Sequence, residues 1–299
     1  MKSANCSPSI GVLVLNYNTW ALALRALASA MRLEGEMVDE YVLFDDGSPD
    51  PPPPDIDSRI RVIRNEKNLG FASALGAAFA RMETDIVVLF DSDAYPLTPF
   101  SSQVRKRFQQ ERDLGQLGFL SQDENGRMTE SFFSEPDRWS LLLGQKVHGW
   151  VPKRELRPSN ICVITGCMAT RVDAYRQVGG FDENFDFLDV DVDYSIRLRK
   201  NGWRVDVEPA VRVFHVGGGT SQLQSHRVLR FYKARWYLLR KHDLIRNAPV
   251  ARRFILARLR LEHFSLRLFG AILYPSAGIR SEKVVGRRDV ISYCRQHYH

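Results

Sequence analysis

Asp91-Ser92-Asp93 places two carboxylates one residue apart, directly after the apolar run Ile86–Phe90. Five apolar residues rich in β-branches are too few for a helix and read as a buried parallel strand, which Pro96 keeps from continuing. Carboxylates at the carboxyl end of such a strand stand where open α/β sheets bind ligands. Hard oxygen donors there suit Mg²⁺ or Mn²⁺ bridged to a diphosphate. A solvated turn has the same residue pattern, so the weight falls on what the rest of the chain brings to that edge.

The surrounding pattern alternates strands and helices. Residues 10–15 form a second β-leaning run ending at Asn16-Tyr17-Asn18, with Thr19 as N-cap of an Ala/Leu-rich helix over 20–33. A strand at 41–44 runs into Asp45-Asp46-Gly47-Ser48, and 51–54 is a polyproline spacer. A strand at 61–63, a helix at 71–81 and the strand before Asp91 follow. This alternation predicts βαβ units and a mostly parallel sheet of the α/β class, with polar loops converging on one edge. Residues 97–160 offer a helix at 100–110, a turn at 123–127 and a small apolar element at 139–143, but no chemistry. An apolar run at 161–170 is interrupted by Gly166, where a backbone can approach another group closely. Helices at 171–178 and 191–201 and strands at 204–207 and 211–216 complete the body, the last ending at His215 and Gly217-Gly218-Gly219.

Composition excludes several classes. The 299 residues, 44% apolar and 26% charged, suit a globular body with a sizeable core. Cys6, Cys162, Cys167 and Cys294 show no metal or redox spacing and read as reduced thiols of a cytosolic protein. No signal peptide and no membrane-spanning run are expected. Charge is unevenly placed: from Gln222 onward there are 17 lysines and arginines against 4 acidic residues, whereas residues 1–221 hold 25 against 31. The division expected is therefore an acidic body, 1–221, and a basic helical region, 222–299, built for a polyanionic surface.

Taken in order, the motifs resemble those of the family 2 glycosyltransferases, which have the GT-A fold. The matching residues are Val-Leu-Asn-Tyr-Asn at 14–18, Phe-Asp-Asp-Gly-Ser-Pro-Asp at 44–50, Asn-Leu-Gly-Phe-Ala at 68–72 and Asp91-Ser92-Asp93. Gly-Gly-Phe-Asp-Glu at 179–183 and Asp-Val-Asp at 191–193, followed by Arg197 and Gly202-Trp203, complete the set. The spacing is most similar to the bacterial branch that includes rhamnosyltransferases of surface polysaccharides. The resemblance implies inverting transfer of a sugar from a nucleotide-sugar, such as a UDP- or dTDP-sugar, to a hydroxyl of a glycan or lipid-linked acceptor. It implies that Asn16, Tyr17, Asp45, Asn68, Asp91 and Ser92 bind the donor, Tyr17 flanking the base and Asp45 accepting a hydrogen bond from it. Arg64 is a further candidate for a phosphate. Asp93 would hold a divalent metal, Mn²⁺ or Mg²⁺, with His215 as third ligand. Asp191 falls at the position of the catalytic base, at a helix N-terminus that favours a carboxylate's ionised form. The pattern departs in two places: Val190 replaces the usual Glu, with Asp189 the second candidate base, and Gly76 stands where many relatives carry Asn.

Two rival classes fit less well. A sugar nucleotidyltransferase needs a Gly-rich basic loop that Asn16-Tyr17-Asn18 does not supply, and a non-catalytic scaffold draws only on Val190. In the basic region, Val250, Phe254, Ala257, Leu261, Phe264 and Leu268 recur at helical spacing beside Arg253, Arg260 and Arg267. Such a helix can lie in the interface of an anionic membrane, at the inner face of a bacterial plasma membrane. The same stripe could instead pack on the body or on a second copy in a homodimer. No nucleic-acid reader motif accompanies the charge.

Overall fold

The structure, a computed structural model, describes residues 7–150, 152, 154–215 and 224–299. Cys6 and the glycines Gly217–Gly219 lie outside the described residues. The chain divides into two compact units. The first comprises Met1–Glu135, Glu155–Asn184 and Val190–Gly219; the second comprises Pro136–Arg154, Phe185–Asp189 and Thr220–His299. The second unit thus draws in two inserts as well as the basic tail expected from charge.

In chain order, the first unit runs β1 (Ile10–Asn16), α1 (Trp20–Glu34), β2 (Glu40–Asp45), β3 (Ile60–Arg64), α2 (Phe71–Phe79), β4 (Ile86–Phe90), β5 (Tyr95–Pro96), α3 (Ser101–Gln110), β6 (Leu114–Gln122) and β7 (Phe132–Ser134). The second unit's short helices α4 (Trp139–Leu142) and α5 (Gln145–His148) intervene. The first unit then resumes with β8 (Ile161–Val163), β9 (Cys167–Arg171), α6 (Val172–Gln177), α7 (Val190–Lys200) and β10 (Arg204–Phe214). Its eight-stranded sheet has the order β3-β2-β1-β4-β9-β6-β10-β5. The pairs β3–β2, β2–β1, β1–β4 and β6–β10 are parallel, and β9 enters antiparallel between β4 and β6. Strand β4 is buried along its length and β1 at every residue but Leu15, as continuous apolar runs are when both faces are covered.

Several differences from the sequence expectation have local causes. Strand β6 carries Gly115 and Gly118, weak β-formers that hide it in the sequence. A Cβ on Gly118 would stand 2.8 Å from Val163 Cγ1, and one on Gly115 2.9 Å from Trp203 Cβ. Close packing on this strand therefore requires the residues that disguise it. The run at 161–170 breaks at Thr165-Gly166 into β8, which pairs with β7 in a separate two-stranded sheet, and β9. The expected strands at 204–207 and 211–216 are one strand, β10, whose register against β6 shifts between Glu208 and Arg212, around Pro209. Thr19 precedes α1 as expected but makes no side-chain cap; its hydroxyl donates to Asn16 Oδ1 at 3.0 Å. The expected turn at 123–127 is present, closed by Asp123 N donating to Arg127 O at 2.9 Å.

The second unit also contains α8 (Gln224–Lys241), α9 (Ala248–Leu273) and α10 (Ala277–His297), packed around Tyr232, Trp236, Ile255, Leu259 and Tyr298. Trp236 and Tyr298 stack with ring centroids 3.8 Å apart. Cys162, Cys167 and Cys294 are free and buried.

Candidate active site

Parallel pairing brings the carboxyl ends of β1, β2 and β4 to one edge, with Asn16 opposite Asp45 in register. Asp91 is the first residue beyond β4, and its backbone N donates to Gly166 O at 3.2 Å. Four residues on, Tyr95 and Pro96 form β5 and pair antiparallel with the end of β10, Phe214 facing Tyr95. Proline is tolerated there because β5 is the sheet's edge. This short return seats His215 beside the carboxylates: Asp91, Asp93 and His215 offer ligand atoms within 4.8 Å of one another. His215 Nε2 lies 3.7 Å from Asp93 Oδ1. The two acidic residues come from a strand end and its turn, and the histidine from a strand more than a hundred residues away.

Burial raises the Asp91 carboxyl from the ordinary 3.8 to about 7, the Asp93 charge adding to the effect. Burial lowers the His215 imidazolium, against the opposing pull of Asp93. At neutral pH the histidine is therefore neutral, with a lone pair to give. Two carboxylates held this close repel unless a proton or a cation lies between them. The cluster therefore fits a divalent ion, its carboxylate donors suiting Mn²⁺ or Mg²⁺. Gly166 makes room for it: a Cβ there would lie 2.6 Å from Asp91 Oδ2 and 3.1 Å from His215 Cε1.

Gly166→Ala is expected to displace both ligands, costing about 1–3 kcal/mol in stability and most of the affinity for Mn²⁺. Melting curves with and without Mn²⁺ check it, and an unchanged metal response would contradict it. A pH dependence follows as well. Below about 7 the proton on Asp91 competes with the cation, so apparent Mn²⁺ affinity should fall about tenfold per pH unit there. The folded chain binds that proton more tightly than the unfolded chain does. Without metal, this contribution to stability is complete below pH 3.8 and lost as pH rises through about 7. Mn²⁺ titrations across that range test the sign.

The remaining expected residues separate into two groups. Asn16 and Asp45 are fully buried. Asp45 Oδ1 accepts from Asn16 Nδ2 at 2.7 Å and from the Ser48 hydroxyl; Oδ2 accepts from Ser48 N at 3.2 Å and pairs with Arg64 Nε at 3.1 Å. These donors use the acceptor capacity a nucleotide base would need, so Asp45 orders the loop that follows β2. Arg64, the phosphate candidate, is held by Asp45 and by the carbonyls of Ser48 and Asp50. Tyr17 and Asn68 are exposed, and Asn68 Oδ1 accepts from Gly70 N at 2.9 Å. Ser92 is half-buried in the turn between the two aspartates.

Asp46 is a residue the sequence expectation passed over. Its buried carboxylate accepts from Asn65 Nδ2, Leu69 N and Gly70 N, fixing the loop before α2. Its neighbour Gly47, at φ +69, lies against the backbone of Lys67, where a Cβ would clash. The run Asp-Asp-Gly-Ser carried that signal.

Asp191 lies in the first turn of α7, half-buried, and its Oδ1 accepts from Val192 N at 2.8 Å. The helix is held by buried polar contacts. Ser195 Oγ donates to Gln116 Oε1 at 2.8 Å and accepts from Val163 N at 3.2 Å, and Tyr194 OH lies 2.6 Å from Thr170 Oγ1. Asp193, fully buried, pairs with Arg197 at 2.7 Å, and Arg197 also donates to the carbonyls of Val178 and Gly180. The second half of Asp-Val-Asp is thus a structural anchor. Val190 is buried, which suits its departure from Glu. Asp189, at φ +64, is held by Arg235 through contacts of 2.8 and 2.9 Å, an ion pair that leaves it poorly suited to be a base.

Residues 11–179 match the sequence profile of Glycosyl transferase family 2. The chain is 28% identical over 233 residues to an N-acetylglucosaminyl-diphospho-decaprenol L-rhamnosyltransferase of Mycobacterium tuberculosis, covering 68% of this chain and 75% of the relative. Its fold resembles that of a mannosyltransferase from Pyrobaculum calidifontis solved in complex with GDP-Man and Mn²⁺, with TM-score 0.57 and 16% identity over 99% of this chain and 89% of that one. It also resembles GalNAc-T7 solved with UDP, GalNAc and Mn²⁺, with TM-score 0.55 and 14% identity over 81% of this chain and 52% of that one. At these identities the structural likeness concerns the fold.

Proposed function

Because the chain belongs to glycosyl transferase family 2, we propose that it transfers a sugar, with inversion, from a nucleoside-diphosphate sugar to a hydroxyl of a lipid-linked glycan. The carrying observation is the Asp91–Asp93–His215 cluster at the carboxyl edge of the sheet. These three residues would hold a divalent cation, which when bound supplies Lewis-acid stabilisation of the leaving diphosphate. Tyr17 and Asn68, exposed on the loops after β1 and before α2, would meet the nucleotide and the donor sugar. Asn16 and Asp45 would act through those loops, holding them in place. Asp191 would take the proton from the acceptor hydroxyl as the new bond forms at the anomeric carbon, opposite the departing diphosphate. One displacement with one base inverts the anomeric configuration.

The acceptor class rests on the mycobacterial relative, whose name specifies a decaprenol diphosphate carrying N-acetylglucosamine. The test is transfer by the full chain from UDP-, dTDP- and GDP-sugars to an N-acetylglucosaminyl-diphospho-polyprenol, with Mn²⁺, Mg²⁺ or EDTA. Metal-dependent formation of a product of inverted configuration is expected from one nucleotide class. Retention of configuration, or undiminished transfer in EDTA, would overturn the mechanism.

A further inference from the structure

Helix α9 is apolar on two faces, and among the described residues only one is covered. Ala248, Ala251, Ile255 and Leu259 pack into the core of the second unit. The opposite stripe, Val250, Phe254, Leu261, Phe264, Leu268 and Ile272, is more than half exposed at every residue, reaching 80% at Ile272. At 1.5 Å per residue it extends about 33 Å, a continuous apolar strip of the kind that marks an interaction surface. Arg253, Arg260 and Arg267 run alongside at heptad spacing and form no ion pair with any described residue. Between α9 and α10, Arg260, His263, Arg288, Ser292 and Arg295 line a hollow of about 390 Å³. His263 Nδ1 is buried there with no hydrogen-bond partner among the described residues.

We infer that this face docks on an anionic phospholipid membrane. The stripe would enter the acyl boundary, the arginine row would meet headgroup phosphates, and the hollow would take one of them. Charge selects this occupant over a second copy of the chain. An isologous contact sets a patch against itself and so must be self-complementary. The single acidic residue of α9, Glu262, is already held by Arg258 and Arg287. A twofold pairing would therefore bring together two arginine rows with no carboxylate between them. Docking is interfacial, since among the described residues no helix is long and apolar enough to cross a membrane. The surface complements the proposed lipid-linked acceptor but does not depend on that assignment.

The test is flotation of the full chain with vesicles of phosphatidylcholine alone or mixed with phosphatidylglycerol. The chain is expected to float with the mixed vesicles and to remain unbound with the neutral ones. Leu261→Asp combined with Phe264→Asp alters exposed positions, so its melting temperature should hold while vesicle binding falls at least about tenfold. Replacing Arg253, Arg260 and Arg267 together with Gln should weaken binding about 100-fold. Neither variant should change the thermal response to nucleotide-sugar and Mn²⁺, which separates this surface from the donor site. No flotation with mixed vesicles, equal flotation with neutral ones, or unchanged binding by the variants would overturn the inference. So would a vesicle-independent dimer that the two aspartates dissociate.

Discussion

Asp93→Asn is expected to lower sugar transfer about 10³-fold and to abolish the thermal response to nucleotide-sugar with Mn²⁺. Asn keeps the size of the side chain and one carbonyl oxygen, so the substitution isolates charge. Asp93 sits half-buried in a turn, its side chain 27% accessible and 3.7 Å from His215. The substitution lies between β4 and β5 and leaves both strands unchanged, and the melting temperature without ligand should hold. Loss of the charge also removes one of the two causes that raise Asp91, leaving burial alone, so the Asp91 carboxyl should titrate at lower pH. A variant that keeps wild-type turnover in Mn²⁺ would rule Asp93 out as a ligand.

The second large effect falls on Asp191. Asp191→Asn should reduce kcat about 10²–10⁴-fold while leaving donor affinity unchanged, because only the proton acceptor is lost. The side-chain oxygen that accepts from Val192 N is retained, so α7 should lose only a few tenths of a kcal/mol from its charge–dipole term. The contrast with Asp93→Asn is diagnostic: one variant loses metal-dependent donor binding, the other only turnover. Asp189→Asn supplies the control. Its carboxylate is paired with Arg235 inside the second unit, so the expected effect is on stability. Loss of turnover from Asp189→Asn with unchanged melting, and none from Asp191→Asn, would exchange their roles.

Much of the candidate site's framework was legible because its positioning strands are short, apolar and β-branched. Residues 86–90 and 10–15 could be little else, and their parallel pairing brings Asn16, Asp45 and Asp91 to one edge. Gly166 was visible as an interruption, and the structure puts Asp91 and His215 against it. Less legible was the division of labour among polar residues. Asn16 and Asp45 read as ligand contacts because polar side chains at strand ends so often are; here they satisfy one another, Ser48 and Arg64. Which partner a carboxylate chooses depends on loop geometry that spacing does not encode. Helix α9 posed a related difficulty. Its most regular apolar stripe is the one left exposed, whereas the covered face is interrupted by Arg258, which is accommodated by Tyr232 OH at 2.8 Å, Glu262 and the Leu141 and Leu142 carbonyls. A half-buried arginine held by four acceptors makes a packing face look like a polar one.

The proposed function stands on Asp91, Asp93 and His215 forming a metal-dependent site for a nucleoside-diphosphate sugar. Thermal melting of the full chain with UDP-, dTDP- and GDP-sugars, each in Mn²⁺, in Mg²⁺ and in EDTA, reads that site. A ligand at 100 times its dissociation constant adds about 2.7 kcal/mol to stability, a shift readily resolved. Stabilisation by one nucleotide class, present with metal, absent in EDTA and lost in His215→Ala, is the result expected. Stabilisation that survives EDTA, or none from any donor, would contradict the claim.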